Sequence, residues 1–249
     1  MARHHDFTTI RTEGALLPPD LLRRLRDNDK DLPGLTPDAY HLIGHTRLSE
    51  AISEAWNKLQ GAWAAFQAAR ATIPPGNPGT ATTRDRWLLP LFQVLDYGRL
   101  QTTTARELGG KTYPISHAWS HVPIHLVGCN IDLDTRTAGV AGAARQSPHG
   151  LIQTYLNATD ESLWGVVSNG LKLRLLRDNH TLTRQAYLEF DLEAMLAGEV
   201  YADFVLLYLT LHQSRLEADK PENTLLEQWT RAAQEQGTRA LDRLRDGVH

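Results

Sequence analysis

Across 249 residues there is one cysteine, Cys129, so no intramolecular disulfide can form and a reducing interior is the simplest setting. Long apolar runs are missing too. The richest stretch, "DFVLLYLTL", is too short to span a bilayer, and "MARHHDFTTI" lacks the apolar segment of a signal peptide. Charge of one sign is also scarce: a formal net charge of −3 gives no general attraction to nucleic acid or membrane, so any such contact must be local. These absences lead us to expect a soluble, cytoplasmic protein with no membrane partner. With 41% hydrophobic and 22% charged residues the chain has the composition of a folded domain.

Signatures of common chemistries are absent as well. There is no Walker loop, dinucleotide fingerprint, nucleophile elbow or Cys-x-x-Cys pair. What the chain does hold is local order. Its first third reads as helical. Thr36 and Pro37 open a turn that Gly44 can close, and Leu48, Ile52, Trp56, Leu59, Trp63 and Phe66 mark one apolar stripe from Arg47 to about Arg70. That stripe suits a core or, alternatively, a docking face for a partner subunit. "IPPGNPGTATT" then breaks the pattern with prolines and glycines. The expected organisation is a helical N-terminal subdomain over 1–73, a Pro/Gly hinge over 74–82 and a core over 83–249.

Beyond the hinge, "TTRDRWLLPLFQVLDYG" reads as a short helix that Pro90 should kink. "TYPISHAW" and "VPIHLVGCNIDL" read as strands with a turn at Ser120-His121, and "SPHGLIQTYLNAT" as a helix with Ser147 at its N-cap. "SLWGVVSNGLKLRLLRD" is a hairpin turning at Asn169-Gly170, a dipeptide that accepts positive φ. A strand then runs into a helix capped by Asp191. Two helices follow, roughly Tyr201–Leu216 and Thr224–Arg245, the last with a glycine after it. The fold class is α/β (α+β): helices leading into a mixed sheet flanked by helices.

The candidate metal ligands lie on the two middle strands and just after them. His117, His121 and His125 are spaced by four, but Pro114 and Pro123 exclude the helix on which that spacing would bring them together. His117, His125, Asp132 and Asp134 are therefore weak metal candidates. Asp132 and Asp134 could bind magnesium or simply start a turn. Glu189 could pair with Asp191, although Asp191 has a simpler role as a cap. Cys129 sits in an apolar run with no basic neighbour and reads as core.

Taken together, "TTRDRWLLPLFQVLDYGRL", "SPHGLIQTYLNATDESLWGVVSNGLKLRLLRD", "YLEFDLEAML", "GEVYADFVLLYLTLHQSR" and "EQWTRAAQEQGTRALDRLRDGV" resemble the N-terminal region of large bacterial type IIG-like restriction–modification adenine methyltransferases and their DISARM-like phage-defence relatives. The resemblance covers most of the chain from about Thr82 onward. It implies a restriction-endonuclease-like, PD-(D/E)XK-type core, in which carboxylates hold magnesium and a lysine assists attack on a phosphodiester. Where that core would carry its Asp, this chain has Ser116 and His117. Where it would carry acid-x-Lys, it has Val127, Gly128 and Cys129. The helix that follows keeps Gln153 and Tyr155.

The resemblance therefore implies a pseudo-nuclease, a non-catalytic architectural or DNA-contacting module with DNA and possibly defence-system subunits as partners. The segment needs no cofactor of its own, and S-adenosylmethionine is expected only for the parent protein. Two alternatives stand beside this reading. One is an active magnesium-dependent endonuclease with a displaced site drawn from Asp132, Asp134, Glu189 and the nearby histidines, with Gln153 a further weak catalytic candidate. The other is a protein-interaction domain.

Overall fold

The structure is a computed structural model that describes residues 7–14, 16–44, 47–178 and 186–246, the side chains of residues 240–246 excepted. The glycine expected to cap the last helix lies outside the described residues.

A mixed seven-stranded sheet organises the chain. Its strands are β1 (Ile10–Glu13), β2 (Gln101–Thr102), β5 (His117–Trp119), β6 (Val122–Leu126), β7 (Trp164–Ser168), β8 (Lys172–Arg177) and β9 (Tyr187–Asp191), in the order β1-β9-β8-β7-β6-β5-β2. A separate hairpin pairs β3 (Arg106–Leu108) with β4 (Lys111–Tyr113). Every neighbouring pair in the large sheet is antiparallel except β6 and β7, which run parallel in the register Ile124↔Val166. Parallel neighbours need a crossover, and helix α5 (Pro148–Leu156) provides it.

Both faces of the sheet are covered, unequally. On one side α1 (Pro19–Arg26), α2 (Leu48–Arg70), α4 (Leu89–Val94), α7 (Tyr201–Leu211) and α8 (Leu225–Asp246) bury Ile124, Val166, Leu173, Leu175, Leu188 and Phe190. The other side is thinner. There α5, the loop after β6 and the β3–β4 hairpin close over Val127, Val167, Leu176 and Tyr187.

The apolar stripe of α2 is core. Ile52, Trp56, Leu59, Trp63 and Phe66 are all buried, and Trp63 packs edge-on to Trp87 with ring centroids 5.0 Å apart. Burying Phe66 alone contributes roughly 1.5–3 kcal/mol, more than the cost of about 1 kcal/mol that Gly61 carries against alanine in the same helix. No aromatic of that stripe is left for docking. One segment of the first third is not helical: Ile10–Glu13 forms the sheet edge against β9. Its partner and Asp203 hold it there, the Asp203 carboxylate accepting from Thr9 N at 2.8 Å and Thr9 Oγ1 at 2.7 Å.

Pro90 produces a different outcome from the expected kink. The helical path from α3 (Thr80–Thr83) to α4 continues through a π turn over Arg84–Leu88 immediately before it. Proline donates no hydrogen bond and its ring crowds the carbonyl four residues back, and the wider turn absorbs both.

The Pro/Gly segment preceding that helix is pinned to the chain after β6. Asn130 N donates to Pro78 O at 3.2 Å, Asn130 Nδ2 donates to Asn77 O at 2.8 Å, and a Cβ on Gly128 would lie 1.9 Å from Pro78 O. The hairpin at Asn169-Gly170 is also wider than a two-residue turn. Only Gly170 has positive φ, at 81°, while the Asn169 side chain accepts from Leu171 N and Lys172 N. Among the described residues no helix is long and apolar enough to cross a membrane.

Candidate functional site: a buried arginine between Asp134 and Glu189

Ser116 and His117 lie at the start of the β5–β6 hairpin and Val127, Gly128 and Cys129 just after it, and Ser120, with φ 50°, makes its turn. His117 and His125 sit on separate strands and meet through Ser116 rather than through a common ligand point. Ser116 Oγ accepts from Leu126 N at 2.9 Å and lies 2.8 Å from His117 Nδ1. Ser116 N donates to His125 Nδ1 at 3.3 Å, which leaves the proton on Nε2, and Nε2 donates to Gly142 O at 3.0 Å. Arg84 donates from Nε to Leu126 O at 2.9 Å. Burial, with Arg84 nearby, lowers the pKa of His117 to about 4. Burial does the same for His125, against the Gly142 hydrogen bond, again to about 4. Both imidazoles are neutral near pH 7, and both ring nitrogens of His125 are committed. Cys129 is buried, its N–H donating to Thr83 Oγ1 at 2.9 Å.

The acidic candidates part company. Asp132 Oδ1 accepts from Asp134 N and Thr135 N, each at 2.8 Å, so Asp132 shapes the turn after the strand. Asp134 instead reaches the sheet. Both its oxygens accept from Arg174, at 2.6 Å from Nη1 and 2.8 Å from Nη2. Arg174 Nε donates to Glu189 Oε2 at 2.5 Å across the β8–β9 ladder, where the two residues are register partners. His149, at the start of α5, places Nδ1 3.2 Å from Nη1, and the guanidinium lies 4.7 Å above the Tyr187 ring.

Arg174 and Glu189 are buried, while the Asp134 side chain is 54% exposed. The structure thus brings Asp134 and Glu189 together, with a fixed cation between them. Gln153 and Asp191 stand apart. Gln153 Nε2 donates to Arg177 O at 3.1 Å, and Asp191 Oδ1 accepts from Ala194 N at 2.9 Å as the cap of α6 (Leu192–Ala197).

The electrostatics follow from that geometry. Burial pulls the Arg174 pKa down, but its hydrogen bonds to Asp134 and Glu189 outweigh this and hold it above the ordinary arginine value. The Arg174 hydrogen bonds keep the Asp134 carboxyl below the usual carboxylate range. Burial, with Arg174 adjacent, lowers His149 to about 4. Arg174 commits Nε to Glu189 and both terminal nitrogens to Asp134, so the arrangement orders the loop after β6 and the first turn of α5 against the sheet. Among the described residues no group of three or more His, Cys, Asp or Glu side chains is placed to hold a metal ion.

Besides Asp203, two more buried charges escaped sequence reasoning. Glu227 of α8 accepts from Arg177, Arg231 and Trp164 Nε1, tying α8 to β7 and β8. Arg215 donates to the Gly34 and Ala39 carbonyls beneath Tyr40. Comparison of the chain with protein-family models, with curated proteins and with solved structures gave no match.

Proposed function

We propose that this chain is a non-catalytic, DNA-contacting architectural module of a bacterial restriction–modification or phage-defence methyltransferase. One observation carries the reading. Within the large sheet β2, β5 and β6, then crossover helix α5 and strand β7, run in the order βββαβ, with the β3–β4 hairpin inserted after β2, and the hairpin where a nuclease of that topology would hold its metal carries Ser116, His117 and His125, bonded to one another and to backbone. On this reading a nuclease-type scaffold is kept while its carboxylates and lysine are replaced.

Exposed Lys111, Arg136 and Arg145 on the α5 side supply local positive charge for phosphates despite the net charge of −3. S-adenosylmethionine belongs, on this reading, to the rest of the parent protein. The displaced-site nuclease is the second reading, favoured by the convergence of Asp134 and Glu189. Arg174 weighs against it, because its guanidinium occupies the space between them.

The test is duplex DNA binding by fluorescence anisotropy at several salt concentrations, alongside plasmid incubation with Mg²⁺ or Mn²⁺. The expected result is salt-dependent binding, weakened by Lys111→Gln, Arg136→Gln and Arg145→Gln together, with the plasmid left intact. Cleavage abolished by Asp134→Ala would overturn the non-catalytic reading. Absence of any salt slope would overturn the DNA-contacting one.

A further inference from the structure

The thin face of the sheet holds a cleft of about 630 Å³ between strand β4, the glycine-containing loop that precedes α5, and α5 itself. Its charges are of one sign. Lys111 and Arg145 line it, no Asp or Glu does, and neither cation makes an ion pair among the described residues. In a chain whose acids outnumber its Lys and Arg by 29 to 26, an acid-free lining with two unpaired cations favours an anion. Pro114 and Leu151 give the cleft an apolar floor.

Polar groups suited to a flat heterocycle stand beside that floor. Gln146 Nε2 donates to Thr154 Oγ1 at 3.2 Å and its Oε1 lies 3.5 Å from the same hydroxyl, so its amide is oriented while one N–H and one lone pair of the carbonyl oxygen keep spare capacity. The wall opposite is fixed by the sheet. Gly142, with φ 78°, presents its carbonyl to His125 Nε2, and a Cβ there would lie 2.3 Å from His125 Cε1. The histidine that resembled a metal ligand is a positioning residue for this wall.

Size completes the argument. A bare oxyanion would fill a small part of such a volume and stay mostly hydrated, whereas clefts of this size enclose a small organic molecule. We infer that the cleft binds a nucleoside monophosphate, with the phosphate held by Lys111 and Arg145 and the base lying over Pro114 and Leu151 within reach of the Gln146 amide. The inference rests on the cleft alone and does not depend on the duplex-binding reading.

Calorimetric titration of the intact chain with the four ribonucleoside monophosphates tests it, with inorganic phosphate, adenosine and indole-3-acetate as separate arms. The expected result is saturable binding of at least one nucleotide at millimolar concentration or below. Lys111→Gln and Arg145→Gln should each weaken it about tenfold, with little change in melting temperature because both side chains are exposed and unpaired. Ala144→Trp, at an exposed lining position, should abolish it by filling the cleft. Phosphate binding as tightly as any nucleotide would overturn the role of the base. Adenosine or indole-3-acetate binding equally well would overturn that of the phosphate. Failure of all four nucleotides to bind, or binding unchanged in Ala144→Trp, would overturn the site itself.

Discussion

Replacing Arg174 with methionine removes one charge and five donors from a centre whose other members stay in place. Glu189 is then left buried with two more distant cations, Lys172 Nζ at 3.8 Å and the exposed Arg11 that is its register partner on β1, and His149 Nδ1 loses its donor. Deleting one partner of a buried ion pair costs about 3–5 kcal/mol, because the remaining charge is desolvated without compensation. For a chain of this size that corresponds to a fall of roughly 6–20 °C in Tm, at about 2–4 °C per kcal/mol. The Asp134 share is small, since that side chain is half exposed: Asp134→Ala alone should cost about 1 kcal/mol or less. The double variant Arg174→Met with Glu189→Leu removes both buried charges and fills the space with apolar atoms. It should recover to within about 1–2 kcal/mol of the parent. Urea titrations followed by circular dichroism at pH 7 measure all four proteins. An Arg174→Met cost below about 1 kcal/mol, or a double variant no better than Arg174→Met, would refute the account of this centre.

Acid should weaken the fold before the carboxylates titrate. Burial holds His117, His125 and His149 near pKa 4 and His212 near 3, whereas an unfolded histidine takes a proton at about 6.5. The unfolded chain therefore binds more protons between those values. Stability should be flat above about pH 6.5 and fall toward pH 4 by up to about 3 kcal/mol for each histidine; a urea midpoint unchanged between pH 7 and pH 5 would contradict this. Glu227→Gln leaves three donors facing an amide that can satisfy only part of them, and should cost about 3 kcal/mol by the same urea titration. Gly128→Ala and Gly61→Ala should move in opposite directions. The first forces a Cβ onto Pro78 O and should unpin the Pro/Gly segment, seen as faster limited proteolysis there. The second meets nothing within 4 Å on helix α2 and should raise stability by about 0.5–1 kcal/mol.

The elements legible in the sequence were those whose signal is local. The α2 stripe, the Ser147 cap with its bond from Gly150 N at 3.1 Å, and the Asp191 cap are each written within one or two turns of chain. Strand β1 was not legible because "IRTE" carries no alternation of its own. It is a strand because β9 offers an edge and Asp203, 194 residues away from Thr9, accepts its backbone. The same holds for the two-residue strand β2, defined only by its pairing with β5. Pro90 misled for a related reason: a proline forbids one hydrogen bond, but whether the helix bends or widens into a π turn depends on the packing of Trp87 and Leu88 against α2.

The site was half legible, and the missing half had a signal. Asp134 and Glu189 stand out as acids, but their meeting point is Arg174, which looks like an ordinary solvated charge in "LKLRLLRD". Strands β8 and β9 are buried on both faces, so a charge between apolar neighbours on each of them cannot be facing water. Leu173-Arg174-Leu175 and Leu188-Glu189-Phe190 each place one charge in such a run, with opposite signs. Two adjacent interior strands of that kind satisfy their charges at least cost by pairing them with each other. That argument fixes the Arg174↔Glu189 register from sequence once the strands are taken as neighbours, and it leaves only the approach of Asp134, on a loop 40 residues from its partner, to tertiary structure.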